Sequence, residues 1–265
     1  MANLVYNNEQ FAIAKGFGVV EFGALLEGAM KRETKFTKKV SFAPSSLGYS
    51  GSCPRYWYYA FNGAEFSYDT DATAMANMDN GSAAGVRLAN LLDKAGILVD
   101  SEIPAKHSDP PIGGYIDAIV RWKGEEIPAE IKTTKTETWQ YRANNNTVPG
   151  YQMVQLLIYM YVMQKERGFF ITEDKNTHQL FILPIRMTDE RKAFIESIFE
   201  WMRTVKKNAE EGELPQRPFT KASMQCKGCA VRETCWKGWK RGSVNGADPN
   251  PGTTFLPALE IPKSL

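Results

Sequence analysis

Four cysteines constrain this chain more than any other feature. Three lie together as Cys226-Lys227-Gly228-Cys229-Ala230-Val231-Arg232-Glu233-Thr234-Cys235, a C-x2-C-x5-C spacing, and the fourth, Cys53, lies far upstream. In a reducing compartment, clustered cysteines bind metal more often than they pair as disulfides. A C-x2-C turn points two thiols to one side, and Gly228 eases that turn. Four thiolates satisfy either a tetrahedral zinc or an iron–sulfur cluster, and spacing alone does not choose between them. A centre that used all four would tie the N-terminal region to the C-terminal one, and its binding energy would be folding energy. With four protein ligands and no open position, its role would be structural.

The rest of the composition is that of a globular protein. The chain has 265 residues, 43% hydrophobic and 23% charged, with a formal net charge of +2. That length holds a full core without further staples. No apolar run reaches the roughly 18 residues of a membrane span. No basic segment followed by an apolar one opens the sequence as a secretory leader would. A cytoplasmic protein without a membrane segment is expected. The small net charge excludes a polybasic, histone-like chain, but its distribution is uneven. Lys221, Lys227, Arg232, Lys237, Lys240 and Arg241 face only Glu233 across residues 221–242, a local net of +5 around the cysteines.

Periodicity and breakers predict a helix near Glu21–Arg32 followed by the basic stretch Lys31–Lys35, a capped helix starting at Pro44-Ser45-Ser46-Leu47, and an aromatic helix after Cys53-Pro54. Residues 63–80 are polar and small and are expected to be a loop; residues 81–96 read as a helix. Gly114–Trp122 and Ile127–Thr133 flank the turn Lys123-Gly124-Glu125 and form a β-hairpin, with Pro128 better suited to an edge or a strand start. Residues 134–149 are expected to be a mobile loop. Tyr151–Gln164 is a nearly all-apolar helix after Pro149-Gly150. Phe169–Thr172 and Gln179–Ile185 form a second hairpin, and Thr188 caps a long helix ending near Gly212. Residues 1–241 are expected to be one α/β domain, a small mixed sheet flanked by helices, and residues 242–265 an extended or disordered tail.

The first hairpin carries the chemistry. Strand side chains alternate faces, so Glu130 and Lys132 project together while Ile127, Ala129 and Ile131 project to the other side. Asp117 lies close by on the preceding strand. Two carboxylates suit Mg²⁺ or Mn²⁺. Such an ion polarises a phosphoryl oxygen and acidifies a bound water, and the lysine offsets charge on a pentavalent transition state. On the following helix, Gln155 and Tyr159 are i and i+4 and share a face, with Gln152 one turn earlier. A helix so apolar should be buried, and its polar edge then needs partners.

The set Asp117…Glu130-Ile131-Lys132…Gln155-x-x-x-Tyr159 resembles the D, ExK and QxxxY motifs of RecB-type nucleases in the PD-(D/E)XK superfamily. Cys53 in a Cys-Pro-Arg context ahead of these motifs, with C-x2-C-x5-C behind them, is similar to the iron–sulfur subgroup. That subgroup includes the AddB nuclease domain, the CRISPR-associated adaptation exonucleases and phage-encoded relatives. The resemblance spans roughly residues 41–240. It implies a restriction-endonuclease-like fold and a 4Fe–4S cluster on Cys53, Cys226, Cys229 and Cys235. It also implies metal-dependent exonucleolytic cleavage of DNA, on single strands or ends, in recombination, repair or replication. Asp117, Glu130 and the carbonyl of Ile131 would hold Mg²⁺ or Mn²⁺, Lys132 would be the catalytic lysine, and Gln155 and Tyr159 would position substrate.

One departure stands out. The family's histidine, in a Gly-x-x-x-His setting before the first strand, is replaced by Gly85 after Gly81. The histidines here are His107, expected in a loop, and His178; Glu102, which sits before that loop, is the other candidate for the empty place. Two other readings therefore stand beside the exonuclease: a catalytically weak or inactive nuclease-fold DNA-binding subunit working with partner proteins in a larger complex, and a zinc-stabilised interaction protein. For DNA contact the candidates are Arg55, Arg87, Lys135, Trp139, Tyr141, Arg142, Lys227 and Arg232, the aromatics by stacking on bases.

Overall fold

The computed structural model describes residues 15–16, 18–30, 38–67 and 72–238. The basic stretch at 31–35 and the tail at 242–265 lie outside them. Of the described residues, those within 1–35 and 69–83 make up one compact unit, and those within 36–68 and 84–265 the other. The first unit holds α1 (Val19–Met30), none of whose residues is buried, and the start of a longer helix.

The second unit is built around a five-stranded sheet. Two 3-10 turns, Pro44–Ser46 and Tyr49–Ser52, lead into α2 (Pro54–Phe61), which has Cys53 at its N-cap and proline at its first position. Proline suits that position because its missing N–H has no helical partner there. Next come α3 (Ala72–Lys94), β1 (Leu98–His107), β2 (Ile112–Trp122) and β3 (Glu125–Thr134). Two helices, α4 (Thr136–Asn145) and α5 (Gly150–Val162), carry the chain to β4 (Arg167–Asp174) and β5 (Leu180–Arg186). The long α6 (Asp189–Glu211) follows, then the short α7 (Met224–Lys227) and α8 (Arg232–Trp236). Thr188 accepts the Arg191 N–H at the start of α6, and Gly212 ends it in a left-handed conformation (φ 74°).

The strand order is β1-β2-β3-β4-β5, antiparallel except for β3 and β4. A parallel pair needs a crossover, and α4 with α5 supplies it. Ile127, Ala129 and Ile131 pack with Ala118, Val120, Ile171 and Leu88 of α3. On the larger core, Val154, Leu156, Leu157, Ile158 and Met160 of α5 are wholly buried among Phe42, Trp57, Phe170 and the inner face of α6. A nearly all-apolar helix is stable there because it has the sheet on one side and α6 on the other.

The expected α/β architecture is present, and three local expectations need correction. Residues 72–80, read as loop, belong to α3; small residues weakened a helical signal that alanine and methionine support. Residues 136–145, read as a mobile loop, form α4, which is tied to β4 by Trp139 Nε1 donating to the Thr172 carbonyl (3.1 Å) and Thr136 Oγ1 donating to Asp174 (2.9 Å). Tertiary hydrogen bonds replace the apolar stripe that would have announced the helix. Strand β1 was not anticipated; it is an edge strand carrying Asp100, Glu102 and Pro104, a composition that protects edges and hides alternation. Pro128 lies within β3, paired with Ile119, and the β4 ladder begins only at Ala129, so the missing N–H removes no bond to β4. Among the described residues no helix is long and apolar enough to cross a membrane.

Candidate active site

The sheet forks at one point, and the acidic residues lie at the fork. Strands β2 and β3 pair from Trp122↔Glu125 to Ala118↔Ala129 and then part. Beyond that point β2 stays with β1, as far as Ile112↔His107, and β3 runs along β4 as far as Thr134↔Asp174. Asp117 and Glu130 are the first residues past the last paired step. The Asp117 carboxylate takes over the ladder there: its Oδ2 accepts the Ile131 N–H at 2.6 Å.

Glu130 is fully buried. Its Oε1 accepts from Gln155 Nε2 at 2.6 Å and from Lys132 Nζ, while its Oε2 is buried without a hydrogen-bond partner. Burial pushes the Glu130 carboxyl up to about 7; Lys132 opposes that rise, and Asp117 and Glu102 add to it. Burial also raises Asp117, against Lys132 and the Ile131 N–H. For Lys132 burial acts downward, but Glu130 and Asp117 outweigh it and hold the ammonium above its ordinary value. Its Nζ lies 3.9 Å from Asp117 Oδ2, so it bridges both acids.

Helix α5 closes the site from above. Gln155 and Tyr159 are both buried, at 6% and 2% exposure. The Tyr159 hydroxyl is hydrogen-bonded to the Gln155 side chain and to the backbone of Tyr115, and burial followed by Glu130 drives its pKa up. This seat exists because residue 114 is glycine: a Cβ there would lie 2.7 Å from Tyr159 Oη and 3.3 Å from Pro44 Cδ. Tyr151, one turn before Gln155, is half-buried and lies within electrostatic reach of Lys132 and Arg142. It escaped sequence reading, although its spacing four residues before Gln155 is the available signal. Glu102 is also drawn in: the register Ser101↔Ala118 and Ile103↔Ile116 sets it across from Asp117.

The two histidines go elsewhere. His107 ends β1 and packs on Phe199 with ring centroids 5.1 Å apart. His178 Nδ1 lies 3.2 Å from Glu173 Oε1. Neither replaces the histidine absent at Gly85. Of the candidate DNA contacts, Lys135, Tyr141 and Lys227 are exposed. Arg55 is buried over the Tyr59 ring, Arg142 is buried, and Arg87 is ion-paired with the buried Glu173. Trp139 is bonded to the β4 backbone, and Arg232 is partly buried with its Nε enclosed.

The cysteines are brought near one another without forming a cage. Ser50 Oγ donates to the Gln225 carbonyl at 3.0 Å, so α7 packs on the turn before Cys53. Burial raises the thiols of Cys53, to about 12, and Cys229, to about 11, and each also feels other cysteines of the set. Among the described residues, however, no group of three or more His, Cys, Asp or Glu is arranged to hold a metal ion. The four-cysteine closure expected from the spacing is therefore not shown as a ligand set among the described residues.

A family profile for the PD-(D/E)XK nuclease superfamily matches residues 93–236, the stretch that contains the whole forked sheet and its α5 cover. No curated protein matches the chain. Among solved structures, an alkaline exonuclease from Laribacter hongkongensis (LHK-Exo) is similar at 15% identity and a TM-score of 0.52, over 65% of this chain and 91% of that one. The same enzyme in complex with dAMP gives 16% identity and 0.49, over 65% and 89%. SSO0001 gives 15% and 0.45, over 82% and 96%. With a profile that covers more than half its length and a sheet that forks at Asp117 and Glu130, the chain belongs to the PD-(D/E)XK nuclease superfamily.

Proposed function

We propose that the protein is a metal-dependent deoxyribonuclease that hydrolyses phosphodiester bonds exonucleolytically, on single-stranded DNA or DNA ends. One observation carries the reading: Glu130 Oε2 is a fully buried carboxylate oxygen with no hydrogen-bond partner, beside Asp117. A buried acceptor of this kind asks for a cation. Hard oxygen donors fit Mg²⁺ or Mn²⁺, which Asp117, Glu130 and the Ile131 carbonyl would hold. Such an ion supplies Lewis-acid polarisation of the phosphoryl group and a more acidic water.

The chain's own residues do the rest. Asp117 is fixed by the Ile131 N–H, and Glu130 by Gln155, so the two acids are preorganised before substrate arrives. Lys132, held protonated by both acids, presents a positive charge where the phosphorane charge develops. Exposed Lys135 and Tyr141 on the α4 side and Lys227 near the cysteines are the groups proposed to meet the DNA strand.

The cysteines keep a second element of this reading. The packing of α7 on the turn before Cys53 and the mutual influence of the thiols support a 4Fe–4S cluster on Cys53, Cys226, Cys229 and Cys235 that closes only when iron is bound. Anaerobically purified protein should then show a broad band near 400 nm that is lost on Cys229→Ser; a colourless, zinc-loaded protein would overturn it. For the activity itself, end-labelled single strands should be shortened in Mn²⁺ and left intact with chelator or with Lys132→Ala. If Lys132→Ala cleaves as well as the native protein, the assigned site is wrong.

A further inference from the structure

The face of α5 that looks onto the site carries Tyr151, Gln155 and Tyr159 at i, i+4 and i+8, with the buried Gln152 one turn before Gln155. Their burial is graded, from half-buried Tyr151 at the start of the helix to Tyr159 near its end at 2% exposure. The inner tyrosine is almost wholly enclosed. Its hydroxyl is shared between the Gln155 side chain and the Tyr115 backbone, in a seat that a single methyl group on residue 114 would fill. What it holds is the Gln155 amide, and that amide holds Glu130 Oε1. The outer tyrosine is placed differently. Its ring lies against the backbone of Gly48, where a Cβ would come within 2.8 Å of Cγ. It sits in the first turn of α5, with Lys132 and Arg142 both within electrostatic reach.

We propose that Tyr151 is the substrate-facing tyrosine of this helix, its hydroxyl donating to a phosphate oxygen of the strand bound at Lys132, and that Tyr159 and Gln155 are a positioning pair acting on DNA only through Glu130. The proposal rests on the nuclease reading of the site. Lys132, which already bridges the two acids, and Arg142 are both within electrostatic reach of Tyr151, so a strand bound at Lys132 passes this helix end, and a phenol is a neutral donor that completes a phosphate site without adding charge. Behind Glu130, Gln155 keeps one carboxylate oxygen occupied and so leaves Oε2 as the oxygen free for a cation, which is how a residue behind a metal ligand tunes it.

The two tyrosines are separated by measurements that need no turnover. Mn²⁺ affinity is read by calorimetry on the full chain, and affinity for a fluorescent single strand is read by anisotropy in Ca²⁺. Tyr151→Phe should weaken DNA binding about tenfold, the loss of one hydrogen bond to a charged group, and raise KM with the Mn²⁺ Kd unchanged. Tyr159→Phe should weaken Mn²⁺ about tenfold or more and lower kcat, with DNA affinity unchanged. Gln155→Asn, which keeps an amide but retracts it, should repeat the Tyr159→Phe pattern, and it serves if Tyr159→Phe does not fold. The proposal is overturned if Tyr159→Phe or Gln155→Asn weakens DNA rather than Mn²⁺, or if Tyr151→Phe leaves DNA affinity intact. Loss with Tyr151→Ala but not Tyr151→Phe would make the contact a base stack and overturn the phosphate assignment. A native protein that binds both Mn²⁺ and DNA with this partition yet cleaves nothing would sink the nuclease reading and leave the partition standing.

Discussion

The Asp117 carboxylate accepts the Ile131 N–H at 2.6 Å at the step where β2 and β3 stop pairing. One side chain thus does a backbone's work and, in the proposed reaction, a ligand's work as well. These roles separate by substitution. Asp117→Ala leaves the Ile131 N–H without an acceptor and should cost about 1–3 kcal/mol of stability. Asp117→Asn keeps a carbonyl acceptor and should cost less than about 1 kcal/mol, while cleavage falls at least a hundredfold in both. Urea unfolding and a cleavage assay on the same preparations check this; an alanine variant as stable as the asparagine one refutes the structural half.

Glu130 makes stability depend on pH in an unusual direction. Its carboxyl is held at about 7 in the folded protein against an ordinary value of 4.5. A group raised on folding contributes stability that is complete below its unfolded value and is lost as pH rises through the folded one. Metal-free protein should therefore lose stability between about pH 4.5 and 7, by at most about 1.4 kcal/mol per pH unit. Glu130→Gln should flatten that slope, and Mn²⁺ should raise Tm more at pH 8 than at pH 5. Thermal melts across pH with chelator and with Mn²⁺ decide it, and a slope unchanged in Glu130→Gln rules the source out.

Gly114 tests the seat of Tyr159. A Cβ at 2.7 Å from the hydroxyl and 3.3 Å from Pro44 has a buried ring on one side and a proline ring on the other, so neither neighbour gives way freely. Gly114→Ala should cost about 1–3 kcal/mol. In combination with Tyr159→Phe the cost should shrink, since the atom it strikes is gone. Equal costs in both backgrounds would show that the clash lies with Pro44 or with the ring carbon Cε1 of residue 159, each 3.3 Å away, instead.

The site was legible in the sequence because its logic is periodic. Strand alternation puts Glu130 with Lys132, and helical spacing puts Gln155 with Tyr159; both groupings hold in three dimensions. What stayed hidden depends on contacts that no local pattern encodes. Strand β1 is an edge whose charges mask its period, so Glu102 could not be set opposite Asp117. Helix α4 is held by hydrogen bonds to β4, so it reads as a polar loop. The basic residues were weighed by composition, yet Arg55, Arg87 and Arg142 are used within the fold.

Arg87 gives the last prediction, because its charge has two readings with opposite consequences. It pairs with Glu173, a carboxylate 2% exposed that also neighbours His178. Glu173 follows Thr172 on β4, and Thr172 pairs with Lys132, so alternation turns Glu173 to the face away from the acids. An arginine committed there steadies α3 on the sheet. Arg87→Met keeps the apolar stem and removes the charge, leaving a buried carboxylate with only a histidine beside it. Stability should fall by about 1–3 kcal/mol, less than for a fully buried pair because the arginine is half-exposed. DNA affinity and its salt dependence should not change. Lys135→Ala should do the reverse, lowering DNA affinity and the salt slope without a change in unfolding. If Arg87→Met reduces the salt slope as Lys135→Ala does, the DNA strand crosses the α3 face of the sheet, and the substrate path runs over the side opposite α5.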